Sequence, residues 1–190
     1  MSYADLDGEM RAFIDAVSRG GDESAVIQDA INSSVRRNRT YANGPAFSSH
    51  SNIRDAWAAQ LQERAAKYAT SRSLDVLVDD IVSLANFMNS EFPAAFASSG
   101  FRIAHAQKSL SLYLKHLWCR GDLAMPPACP VDRLMLTHAK APYGLRTWTT
   151  TNDVARYRQQ LECLRTAANG KDLAVWELVE FNRIAGFPRA

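Results

Sequence analysis

Apolar side chains recur three and four residues apart along most of this sequence, and runs that alternate apolar with polar residues are essentially missing. A strand repeats a face every second residue and a helix every three to four, so the pattern restricts the chain to helices. The first predicted helix runs from about Tyr3 to Val17, with Leu6, Met10, Phe13, Ile14 and Val17 in phase, and Gly20-Gly21 ends it. Asp22-Glu23-Ser24 starts a shorter helix whose Ala25, Ile27, Ala30 and Ile31 make one apolar face. The basic, turn-rich run from Val35 to Pro45 reads as an irregular connection. Longer helices are predicted at Ser51 to Thr70, Leu74 to Asn89 and Arg102 to Cys119. Gly121 closes the last of these, and Pro126, Pro127 and Pro130 forbid a helix before Val131. Three more are predicted: a short one from Val131 to His138, one from the Asn152-Asp153 cap to Ala168, and one from Leu173 to Ile184. The expected architecture is all-α, with seven to eight helices. They form either one compact domain or two small lobes, 1–100 and 101–190, with a cleft between them.

A length of 190 residues suits one domain. The 47% hydrophobic and 22% charged fractions are those of a globular chain and exclude a disordered one. A net charge of +2 excludes a bulk nucleic-acid binder but leaves room for a local basic patch. Cys119, Cys129 and Cys163 are an odd set without repeated spacing, so neither a disulfide framework nor a zinc or iron–sulfur site is expected. His50, His105, His116 and His138 also lack metal-ligand spacing, and no metal or cofactor is expected. Phosphate-binding and dinucleotide glycine motifs are absent, as is a Gly-x-Ser-x-Gly elbow. The acidic start without an apolar block, and the lack of a membrane-length apolar run, make the cytoplasm the expected compartment.

The stretch richest in possible chemistry begins at Gln107-Lys108-Ser109, near the start of an amphipathic helix. It ends at Cys129-Pro130-Val131-Asp132-Arg133-Leu134, where another helix begins. The loop between them returns the chain, so Lys108 and Asp132 can face one cleft. A lysine amine and a fixed carboxylate suit glycosidic cleavage. The carboxylate stabilises positive charge growing on the sugar, and an amine that loses its proton in a partly buried, positive setting is a nucleophile.

This lysine, loop and Pro-Val-Asp-Arg segment resembles the helix-hairpin-helix superfamily of DNA glycosylases. The Gln-Lys-Ser opening and the proline-rich approach to the aspartate are most similar to its archaeal 8-oxoguanine glycosylase branch. The resemblance spans about Ile103 to Leu136. It implies that the lysine attacks the sugar anomeric carbon and that the aspartate supports the charge that develops, which assigns catalysis to Lys108 and Asp132. The family hairpin usually reads Leu-Pro-Gly-Val-Gly ahead of the lysine; here that place holds Phe101-Arg-Ile-Ala-His-Ala-Gln107. The altered hairpin leaves room for a specialised target, such as a modified phage cytosine, and for antiviral defence besides base excision repair.

A flipped base needs an apolar or aromatic pocket. Trp118 and Trp57 are candidates for its walls, and His105 and Gln107 for hydrogen bonds to the base edge. Arg36, Arg37 and Arg39, beside Tyr41 and Phe47, are candidate DNA contacts together with Lys115 and Arg133. The partner is then DNA and the protein a monomer. The rival reading is a non-catalytic helical module of a defence or restriction system that binds DNA or protein. A helical regulator whose aromatic residues only fill the core is a third. Lys108 and Asp132 in one concave pocket favour the enzyme, whereas opposite faces favour the others.

Overall fold

Four of the described α-helices begin where a short polar side chain accepts an otherwise orphaned backbone amide. Asp22 caps the amide of Ala25 at 2.9 Å, Ser73 that of Val76 at 3.4 Å, and Asp153 that of Arg156 at 2.7 Å. The computed structural model describes residues 3–18, 22–36, 40–42, 50–97 and 99–187. Among them are eight α-helices: α1 (Tyr3–Phe13), α2 (Glu23–Val35), α3 (His50–Ala65), α4 (Leu74–Glu91), α5 (Ile103–Cys119), α6 (Arg133–His138), α7 (Val154–Ala168) and α8 (Leu173–Ala185). The all-α expectation holds. No described helix is long and apolar enough to cross a membrane.

Three local departures from these expectations appear. The third predicted helix keeps its α geometry only to Ala65 and tightens into a 3-10 turn over Ala66–Ala69. There Asp80 of α4 takes a 2.6 Å bond from Lys67 and a 3.0 Å bond from Tyr68, drawing both side chains to one carboxylate. The first helix widens into a π turn at Ile14–Ser18. The short helix begins at Arg133 instead of Val131, because Asp132 is its cap and accepts the Met135 amide at 2.9 Å. In the connection after α2, Thr40 and Ala42 make backbone bonds to Ala97 and Ala95, so this piece lies against the chain that leaves α4.

Helix α5 is the axis of the molecule. It packs against α1, α2, α3, α4 and α7, and every side chain from Ile103 to Trp118 is buried. A helix enclosed on all sides is ordinarily apolar all round, yet this one carries His105, Gln107, Lys108, Ser109, Ser111, Lys115 and His116. Buried polar groups cost stability unless they are hydrogen-bonded, so the partners of these side chains fix how the other elements dock. Ser109 donates to the His105 carbonyl at 2.8 Å and accepts the Trp57 indole at 3.0 Å. His105 accepts the Arg102 amide on Nδ1 at 3.0 Å, which leaves Nε2 as the protonated nitrogen that donates to Thr40 Oγ1 at 3.1 Å. Burial, with Arg102 nearby, pushes the His105 pKa down to about 3, so this imidazole is neutral at physiological pH.

The entry to α5 is clamped by Asn89. Its amide nitrogen donates to the carbonyls of Ala85 and Phe101, and Oδ1 accepts the Phe101 amide at 2.7 Å. Gly100 turns the chain into this clamp with φ +68, and a Cβ there would lie 2.7 Å from Asn89 Oδ1. Asn89 cannot withdraw without releasing Phe101. Gly100→Ala is therefore expected to lose about 1–3 kcal/mol of stability, the usual cost of a forced left-handed residue. A lowered urea midpoint would show it; an unchanged midpoint would mean the turn relaxes freely.

Candidate active site

Gln107 and Lys108 stand side by side on α5, and Val131 and Asp132 stand side by side on the incoming chain. The Gln107 side-chain amide donates to the Val131 carbonyl at 2.8 Å and accepts the Val131 amide at 3.1 Å. This two-bond clasp sets the register between the segments. One residue further along each, Lys108 Nζ meets Asp132 Oδ2 at 2.8 Å. The other carboxylate oxygen, Oδ1, is taken by the Met135 amide. The lysine and aspartate side chains are 11% and 16% exposed, so the pair is sheltered but open to a ligand. Burial opposes ionisation of Asp132. The Lys108 charge and hydrogen bond, the Met135 amide and Lys115 outweigh it and hold the carboxyl below its usual range.

Lys108 and Asp132 line a cavity of about 670 Å³, which falls in the range of small-molecule sites. Leu112 and Lys115 follow Lys108 by one and two turns on the same face of α5 and line it too. Across from them α8 contributes Glu177 and Phe181, the end of α1 gives Phe13, and the segment after α6 gives Tyr143, Arg146 and Trp148. Lys115 Nζ bonds Glu177 Oε2 at 2.7 Å, with both side chains only 3% exposed. The same ammonium sits 4.3 Å from the ring centroid of Phe13 and 4.5 Å from that of Phe181. Burial raises the Glu177 carboxyl above its usual range despite Lys115.

At the rim are Arg36, Arg133 and Arg146, with the Asp29 carboxylate among them. Lys108 and Lys115 are each matched inside by a carboxylate, so the rim carries the surplus of positive charge. That distribution suits a polyanionic ligand reaching its neutral part inward. The Tyr143 ring is 82% exposed at the mouth. The loop behind it is braced: Arg156 donates to the Gly144 carbonyl, Gln160 to that of Leu145, and Arg146 to that of Ala141.

The sequence-predicted residues fall into distinct groups. Lys108 and Asp132 come together in one concave site. Arg36 and Arg133 are exposed at its rim, while Arg37 and Arg39 lie outside the described residues. Lys115, a candidate DNA contact, is buried against Glu177 on the cavity wall. Trp57, Trp118, His105 and Gln107 do not line the cavity. Trp57 and His105 bond within the core, Trp118 is buried there, and Gln107 clasps Val131. The aromatic lining comes from Phe13, Tyr143, Trp148 and Phe181. Sequence reasoning passed over Phe13, Glu177 and Phe181 as site residues; the available signal was two lysines two turns apart on one face of α5.

Cys129 is buried and its thiol is pushed well up by desolvation, which makes it a poor nucleophile. The described residues contain no group of three His, Cys, Asp or Glu side chains that would hold a metal ion. Comparison of this chain with protein-family models, with curated proteins and with solved structures finds no match.

Proposed function

We propose that this protein is a DNA glycosylase that draws a damaged or modified base into the cavity beside α5 and cleaves its N-glycosidic bond, with Lys108 and Asp132 as the catalytic pair. The observation that carries this reading is the 2.8 Å contact of Lys108 with Asp132 inside a cavity with an arginine rim. A lysine must lose a proton before it can attack, and Asp132 Oδ2 is in place to take it. The Lys108 nitrogen then forms a bond to the sugar C1′ as the C1′–base bond breaks, and the electron pair leaves with the base. The proton held by Asp132 is available to the departing nitrogen. In a simpler route water adds to C1′, and Asp132 stabilises the sugar cation while Lys108 fixes its carboxylate. The arginine rim supports phosphate contacts on either side of the flipped nucleotide.

The test is base release and borohydride trapping on duplex and single-stranded oligonucleotides carrying damaged or modified bases. Asp132→Asn should slow release by about 10²–10³-fold, the scale on which removing one preorganised electrostatic group acts. An adduct trapped by the unaltered protein and lost in Lys108→Gln identifies lysine attack. Release without an adduct assigns the water route. No release from a broad panel overturns the glycosylase reading, and retained DNA binding would then favour a non-catalytic module.

A further inference from the structure

The Lys115–Glu177 pair has no part in the bond-breaking step described above, yet it lines the same cavity. Its charges are the most deeply buried of the cavity's ion pairs, at 3% exposure each against 11% and 16% for Lys108 and Asp132. Tying α5 to α8 does not require charge: apolar residues of similar volume do this as well or better, because an enclosed ion pair seldom recovers its desolvation. The pair is also incompletely used. Lys115 has three N–H donors and Glu177 takes one; the Phe13 and Phe181 rings attract the charge without supplying an oxygen or nitrogen acceptor. Glu177 spends Oε2 on Lys115, and Oε1 takes no hydrogen bond among the described residues. A donor and an acceptor therefore lie next to each other, flanked by two aromatic rings, on the wall of a chamber large enough for a heterocycle.

The geometry points to Lys115 and Glu177 as the group that reads the base, with Lys115 donating to a ring acceptor and Glu177 accepting from the adjacent N–H on the same edge. This rests on the glycosylase reading of the cavity and narrows the substrate to bases whose pairing edge keeps a neighbouring donor and acceptor. Bases alkylated on that edge are excluded, since they would leave Glu177 buried opposite a methyl group. In this role the two side chains are specificity residues, and the charges persist because the ligand completes their hydrogen bonding.

The experiment is calorimetric titration of the whole protein with free cytosine, guanine, adenine and thymine, and with N4,N4-dimethylcytosine, which lacks the donor. At least one unaltered base should bind. The dimethyl compound should bind at least about tenfold more weakly than cytosine, the scale of one unpaired buried polar group. The double variant Lys115→Met/Glu177→Leu, which keeps volume and removes both charges, should unfold normally yet bind every base equally weakly. Glu177→Gln supplies a milder replacement should the double variant fail to fold, and it should lose the preference against the dimethyl compound. No binding by any free base, or an unchanged preference in either variant, would overturn the assignment. Base release measured on the same preparations reports on the glycosylase reading separately. Selective binding without release overturns that reading alone, and release with unchanged base preference in the variants overturns only the role of the pair.

Discussion

Lys115→Met should remove about 3–5 kcal/mol of folding stability near neutral pH, the usual cost of deleting one partner of an enclosed ion pair. The methionine fills most of the lysine's space between Phe13 and Phe181, so the loss comes from Glu177, whose carboxylate would remain in the interior without its cation. The dependence on pH follows from the direction of the Glu177 shift. Burial already raises its carboxyl against the pull of Lys115, and removing the lysine raises it further. A carboxyl with a raised folded-state pKa stabilises the fold fully below its unfolded value of 4.5 and loses that contribution as pH rises through the folded value. The penalty of Lys115→Met should therefore be greatest near neutrality and shrink as acid protonates Glu177. Asp132 runs the other way: its carboxyl is lowered, so its contribution exists above the unfolded value of 3.8 and disappears as pH falls through the depressed one. Urea unfolding of both proteins across the acid range separates the two. A penalty that does not change with pH would show that Glu177 is not the source of the loss.

Trp57→Ala should cost about 3–5 kcal/mol, as large-to-small changes of buried aromatic residues do. Trp57 is fully buried, its ring meets Phe101 edge-on at 4.6 Å, and its indole N–H bonds Ser109 in the middle of α5. The substitution opens a void between α3 and α5 and removes the donor to the Ser109 hydroxyl. Because Trp57 lies outside the cavity lining, the surviving folded fraction should match the unaltered protein in whatever base binding and release the proposed function predicts. Unfolding curves together with activity per folded molecule test both halves of the statement. A selective loss of activity at unchanged stability would instead assign Trp57 to the site.

The residues that misled and those that informed differ in a simple way. Helical periodicity fixes each element from its own neighbours, and positions such as Leu77, Ile81 and Leu84 read directly as the buried stripe they form. The same locality made Lys108 and Asp132 legible, because Lys108 lies in the second turn of one helix, Asp132 caps another, and a proline-bearing loop returns the chain between them. Trp57 was legible as buried but not as outside the cavity lining, since aromatic residues fill cores and pockets alike. Gln107 looked like a ligand contact because its backbone partner at Val131 has no side-chain signature. Glu177 was hidden for a different reason: its pairing with Lys115 depends on how α8 crosses α5, and sequence spacing says nothing about that crossing.

Asp132 spends one oxygen on Lys108 and the other on the first turn of α6, so its charge is linked to a backbone amide that lies beside the proposed catalytic pair. A proton delivered to this carboxylate weakens its hold on the Met135 N–H, and a cation drawn toward it has the same effect. The Met135 amide is thus a built-in witness. Its resonance and its exchange with solvent track the electrical state of the aspartate, without a labelled substrate and without disturbing the residues under observation.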